Sequence, residues 1–154
     1  MVENAWERKN PTMAQSRIIP EGYHSLQPYL MFVNCLEAIA FYTKIFAAKE
    51  KLCMKTPEGR VAHAEIVIGD SVVMMADENP DLKAFATAHY GGSPVSLMVY
   101  VDDCDTTYAQ AIAAGATSVR EPADQPYGDR MAGIFDPFGY KWWIAHPLAK
   151  EEQS

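Results

Sequence analysis

The chain is short of cysteine, of long apolar runs and of basic residues, and each shortage removes a class of function. Its cysteines are three, Cys35, Cys53 and Cys104, with no C-x-x-C pair among them. An odd, unpaired set reads as reduced thiols of a cytoplasmic protein, not as a disulfide frame or a zinc knot. No uninterrupted apolar stretch approaches the roughly 18 residues that a membrane span requires. No apolar signal-peptide core follows Met1: Val2 to Gln15 is polar and carries Glu3, Glu7, Arg8 and Lys9, which argues against secretion by that route. With 13 basic against 20 acidic residues the formal net charge is −7. That balance disfavours a nucleic-acid partner, which needs a basic stripe. A glycine-rich phosphate loop, a Ser-His-Asp set and a carboxylate cluster are missing too.

What remains is a chain of 154 residues, 49% apolar, enough to bury a core without disulfide or metal. Its most informative feature is an internal repeat. Cys35 and Cys104 stand 69 residues apart, as do Ala40 and Ala109, Ala47 and Ala116, and Gly59 and Gly128. Gly69 and Gly139 stand 70 apart, which implies one inserted residue. Both blocks run in the order apolar strand, polar turn, amphipathic helix and three further strands. The expected divisions are an arm at 1–22, a first module at 23–78, a linker at 79–94, a second module at 95–147 and a tail at 148–154. Tyr29–Val33 and Leu97–Val101 read as the opening strands, and Asn34 and Asp103 as helix N-caps. The buried stripes are expected at Leu36, Ile39, Ala40 and Phe46, and at Tyr108, Ala109, Ile112 and Ala113. Gly115 ends the second helix in the left-handed conformation. Ala47 at the matching place predicts a different ending for the first. Residues 49–55, Val61–Ile68 and Ser71–Ala76 read as strands of the first block, and 117–121, Met131–Phe135 and Tyr140–Ala145 as strands of the second.

A βαβββ unit leaves one sheet face under its helix and one free, and strand alternation sorts the side chains between them. Leu30, Phe32, Ala62, Ala64, Ile66, Ile68, Leu97, Val99 and Val101 suit the helix side. The free face then carries Gln27, Tyr29, Met31, His63, Glu65, Met74, Ser96, Met98, Tyr100 and Trp143. It is too apolar to stand open to water, so it is a cavity, a subunit contact or both, unless it closes on itself as a second core. Methionines and aromatic rings with a few polar groups suit a flat small molecule. His63 and Glu65, two residues apart and about 7 Å from one another along a strand, are candidate catalytic residues: the carboxylate raises the imidazole's basicity, as a general acid/base pair requires. The bland reading is a polar patch at a subunit contact.

Three stretches resemble the glyoxalase, bleomycin-resistance and extradiol-dioxygenase group, the vicinal-oxygen-chelate superfamily. They are Phe32-Val-Asn34 followed by Ala40-Phe41-Tyr42 and Ile45-Phe46-Ala47; Val101-Asp102-Asp103 with Ala114-Gly115-Ala116; and Asp136-Pro-Phe-Gly139. The run from His63 to Met74 is similar to the PhnB-like branch. The match spans about residues 24–146. The resemblance implies an α+β fold of two tandem βαβββ modules with curved mixed sheets, a homodimer, and a ligand cavity against the curved faces. It also implies four metal-ligand corners, which here hold Gln27, Met74, Ser96 and Trp143. Thioether and indole do not hold a divalent ion, so the expectation is a site without metal or other cofactor. Gln27, Tyr29, Met74, Ser96, Met98, Tyr100, Arg130 and Trp143 are the expected ligand-binding residues; Arg130 and Tyr127 sit in a loop that resembles the one over the family's cavity mouth.

The function expected is capture of a small aromatic molecule in the manner of resistance or sequestration proteins, a cationic planar guest suiting the acidic chain. The alternative is a metal-dependent or acid/base lyase, isomerase or dioxygenase acting on a small carbonyl or catechol-like substrate through His63 and Glu65. A pure protein-interaction module is the third class. His24, His89 and His146 read as surface residues. Cys35 and Cys104 lie near helix N-termini, where a thiol's pKa can fall, but their duplicated position points to a structural role.

Overall fold

The computed structural model describes residues 18–149; most of the N-terminal arm, with Trp6, and the last residues of the tail lie outside them. The first half consists of β1 (Tyr29–Phe32), α1 (Cys35–Phe46), β2 (Lys49–Lys55), β3 (Val61–Ile68) and β4 (Ser71–Asp77). The second repeats it as β5 (Ser96–Tyr100), α3 (Cys104–Ala113), β6 (Thr117–Asp124), β7 (Asp129–Phe135) and β8 (Lys141–Pro147). Each half builds its own four-stranded sheet, β1-β4-β3-β2 and β5-β8-β7-β6. In both, the first strand runs parallel to the last and the other pairs are antiparallel. The chain is thus two tandem βαβββ modules, as the duplication implies. The segment between them is structured: a 3-10 turn at Pro80–Leu82 and a short helix α2 at Thr87–Tyr90.

Asn34 and Asp103 cap the two long helices, their side-chain oxygens accepting from the Glu37 and Thr106 amides. The first helical residue of each is a buried cysteine whose backbone N–H is taken by a last-strand side chain. Asp77 Oδ1 accepts from Cys35 at 2.7 Å, and His146 Nδ1 from Cys104 at 2.8 Å. His146 is therefore a helix partner and not the free surface residue expected. Burial pushes the Cys35 thiol up to about 12, with Asp77 and Cys53 adding to it. Cys104 moves in the same direction, also chiefly by burial. Both thiols are buried, and burial holds them in the protonated form that suits a structural role.

Three expectations need correction. The buried stripes begin at the cysteines, so Leu36, Ala40, Ala109 and Ala113 are exposed while Ala38, Phe41, Tyr42, Thr107 and Ala111 are buried. Ala47 has a φ of 51°, so the first helix also turns off through a left-handed residue, with alanine bearing the strain that Gly115 avoids in the second. Ala62 is exposed and Val61 is buried, because a β-bulge between β2 and β3 shifts the register there and reverses the alternation.

The two modules meet through their helix sides. Phe32 packs edge-on against Phe138 and Tyr140, and Phe46 lies 4.8 Å from Trp142 between ring centroids. Asp136, buried in the β7–β8 turn, accepts from Tyr42 Oη at 2.6 Å, Trp142 Nε1 at 2.9 Å and the Phe138 and Tyr140 amides. In the same turn Gly139 is obligatory. Its φ is +90°, and a Cβ there would lie 2.5 Å from Thr87 Oγ1. The Tyr140 hydroxyl accepts from the Met31 amide and donates to its carbonyl, which blunts the β1 edge.

Candidate functional site

Because the helix sides form the shared core, the opposite face of each sheet is left without cover from the other module. Register places Tyr29, Met74, Glu65 and Leu52 in one row across the first sheet. Met98, Trp143 and Gly133 form the matching row across the second. Both faces expose apolar side chains: Tyr29 is 50% exposed, Met54 56%, Met98 47% and Tyr100 61%.

The first face carries a hydrogen-bonded chain. The Tyr29 hydroxyl lies 2.7 Å from His63 Nδ1, and His63 Nε2 lies 3.1 Å from Glu65 Oε2. Tyr23 donates to the other Glu65 oxygen, and the Lys51 ammonium sits 3.7 Å above the Tyr23 ring. Glu65 is 3% exposed. Burial alone would push its carboxyl up, but the hydrogen bonds from Tyr23 and His63, with the charges of His63 and Lys51, outweigh that and hold it below its ordinary range. Burial raises the Tyr29 phenol, helped by Cys35 and Glu65, so it stays protonated. An ionised Glu65 accepts only, so a neutral His63 carries its hydrogen on Nε2 and leaves Nδ1 to accept from Tyr29.

The second face has a different character. Its row ends on Gly133, where an added Cβ would lie 2.6 and 2.9 Å from two ring carbons of Trp143 and 3.3 Å from the Val119 Cβ. The indole therefore lies against bare backbone as an aromatic floor, with Met98 beside it. Tyr100 donates to Asp129 at 3.1 Å and Tyr127 to the Met131 sulfur at 3.5 Å, edging the floor with further rings. Lys141 is 5.9 Å from the Trp143 ring centre.

Of the expected site residues, the structure brings His63, Glu65, Tyr29 and Met74 onto one face, and Met98, Tyr100 and Trp143 onto another. Ser96 is exposed at the start of β5, in register with Lys141. Gln27 lies ahead of β1, where its side-chain oxygen accepts from the His24 amide at 2.6 Å. Arg130 points to the helix side, where Asp105 and Asp124 engage its guanidinium. The four corner positions are thus divided between separate faces of the chain. Gln27 is spent on a loop amide, Met74 and Trp143 offer thioether and indole, and the residues present do not fit a divalent ion. Among the described residues, no group of three or more His, Cys, Asp or Glu is placed to hold one.

Two members of the site were not foreseen. Tyr23 lies in an irregular segment with no periodicity to read. Gly133 did carry a signal, since an isolated glycine inside a strand marks a close approach. A cleft of about 490 Å³ opens at the Tyr29 and Met31 end of the first face, lined also by Arg60, Glu58, Asp77 and Glu78; of the hydrogen-bonded chain it reaches Tyr29 and not His63 or Glu65. Clefts of about 460 and 620 Å³ lie where the Gly69 turn approaches β5, and neither reaches His63, Glu65 or Trp143.

Two tandem βαβββ modules, each with one uncovered sheet face, define the class of fold, and comparison with known proteins gives its family. Residues 26–144 match the model of the Glyoxalase/Bleomycin resistance protein/Dioxygenase superfamily, and the chain belongs to that family. It is similar to the uncharacterized protein Mb0911c of Mycobacterium bovis, 35% identical over 127 residues, covering 80% of this chain and 84% of that one. Among solved structures it resembles TioX from a Micromonospora species, with a TM-score of 0.62 at 22% identity, covering 83% of this chain and 99% of that one. It also resembles a PhnB protein from Bacillus cereus described as a putative 3-demethylubiquinone-9 3-methyltransferase, with a TM-score of 0.62 at 20% identity, covering 80% of this chain and 99% of that one. Likeness at these identities bears on the fold.

Proposed function

We propose that the chain binds a small aromatic molecule in a metal-poor cavity, enclosed by the first face of one copy and the second face of another. The observation that carries this reading is the pair of uncovered faces, one with a polar chain and one with an aromatic floor, set apart by a core that uses the helix sides. Rings and methionine sulfurs exposed on this scale call for a cover. A two-fold pair of copies covers both faces at once, the first of each against the second of the other, and closes without leaving a free end. Two cavities result, each with Met74 from one subunit opposite the partner subunit's Trp143. The function is of the sequestration type: shape, stacking and a few polar contacts hold the guest. The three unpaired cysteines support a place in the cytoplasm.

The test is a titration of the purified full chain with planar aromatic compounds, read by tryptophan fluorescence with and without a chelator. A saturable change that the chelator leaves intact, and that Trp143→Phe alters, is the expected result. No change across the panel contradicts the reading. A second reading, favoured by the hydrogen-bonded His63 and Glu65, is an acid/base or metal-dependent lyase, isomerase or dioxygenase acting on a small carbonyl or catechol-like substrate. Stoichiometric metal that disappears in a His63→Ala, Glu65→Ala double variant would establish the metal-dependent form.

A further inference from the structure

We propose that Tyr29 Oη is the atom that meets the guest, that the guest presents an acidic hydroxyl to it, and that the Tyr29–His63–Glu65 chain accepts the proton, so that a phenol is bound as its phenolate. This rests on the cavity reading above and names the chemical class of its occupant.

Every hydrogen in the chain points toward Glu65. Tyr23 donates to Oε1; in the neutral Nε2–H tautomer of His63, the one that matches an ionised Glu65, Nε2–H donates to Oε2 and the Tyr29 hydroxyl donates its one hydrogen to Nδ1. The exposed end is therefore the Tyr29 oxygen with only lone pairs left, an acceptor in search of a donor. Tyr29 is half exposed and lines the cleft of about 490 Å³, a volume suited to a small ring compound. A phenolic O–H placed on that oxygen has a complete path. Its proton passes to Tyr29 Oη as the Tyr29 proton passes to His63 Nδ1. The result is a phenolate that accepts from Tyr29, and an imidazolium whose charge is met by the Glu65 carboxylate 3.1 Å away. One O–H bond breaks in the guest, one is exchanged at Tyr29, and one N–H bond forms. No oxidant or reductant enters.

The groups facing His63 support this direction of transfer. Tyr29 comes from β1, Glu65 from β3, and Tyr23 precedes β1. Lys51 of β2 lies over the Tyr23 ring, and the residue of β2 in register with His63 is the uncharged Met54. A single buried carboxylate with two donors is what an imidazolium needs beside it.

The probe is 4-nitrophenol, whose phenol and phenolate absorb at different wavelengths. Binding is read by tryptophan fluorescence and ionisation by absorbance, across a pH series, for the full chain and for Tyr29→Phe and His63→Gln. The expected result is that the bound probe's apparent pKa falls by about one unit, a tenfold shift toward phenolate, that Tyr29→Phe binds the probe more weakly, and that both variants lose the shift. Circular dichroism confirms that each variant is folded. Binding with the ionisation of free probe overturns this inference and leaves the cavity reading standing. A shift that persists in both variants overturns it as well. No binding of any planar aromatic, by the wild-type chain, overturns the cavity reading and this inference with it.

Discussion

The two sheets share a topology and differ in what their open faces do. At the row where the first sheet has Tyr29, Met74 and Glu65, the second has Met98, Trp143 and Gly133. A duplicated backbone thus presents a carboxylate in one half, and bare backbone under an indole in the other. The same divergence recurs behind the sheets, where Asp77 in one module and His146 in the other take the helix's first amide. Duplication has kept the backbone requirements, a cap and an acceptor for a buried helix start. It has left the free faces to specialise, one for polar contact and one for stacking.

The comparison is broken most directly by removing the floor. Trp143→Ala is expected to cost about 2 kcal/mol of binding for any aromatic guest, since a buried aromatic anchor carries much of a small interface's energy. A ligand titration checks it, and unchanged affinity would show that the second face takes no part. Gly133→Ala tests the same floor from below. A Cβ 2.6 Å from the indole must push it off the sheet, with an expected loss of about 1–3 kcal/mol in stability by thermal melting and a changed response of Trp143 to guests.

On the first face, Glu65 has its pKa held below the ordinary value of 4.5. A carboxylate so lowered in the folded state adds stability above its unfolded pKa, and that stability is lost as pH falls through the lower folded value. Glu65→Gln is therefore expected to flatten the acid side of the stability profile below about pH 4.5, measured by denaturant melts across pH. An unchanged profile would take Glu65 out of the chain of hydrogen bonds. The smallest effect sharpens the comparison of the helices. Ala47 ends α1 at a φ of 51°, so Ala47→Gly is expected to gain up to about 1 kcal/mol in a thermal melt, with no change in binding.

The modules were legible because duplication fixes spacing, and because caps and turns such as Asn34, Asp103 and Asp136-Pro-Phe-Gly139 have local physical causes. Strand alternation carried the free faces correctly at Tyr29, Glu65, Met74, Met98 and Trp143. It failed at Ala62, where a bulge shifts the register, and a bulge leaves no trace in an alternating run. The helical stripes held at Ile39 and Phe46 and failed at Leu36, Ala40, Ala109 and Ala113, because each stripe starts from a buried cysteine at the first helical position. The pairing of Arg130 was out of reach since its partners, Asp105 and Asp124, come from a helix and from another strand. That the two faces look outward separately was beyond reach, as it depends on which sides the modules pack together.

The central claim is that each cavity takes one face from each of two subunits, and subunit mixing tests it. Tyr29→Ala disables the first face and Trp143→Ala the second, so neither variant alone binds well. If the cavity is shared, a mixed dimer holds one site with both defects and one with neither, and reassorting the two variants restores tight binding to that intact site. If each cavity is built within a single chain, every site in the mixture keeps a defect and binding does not return.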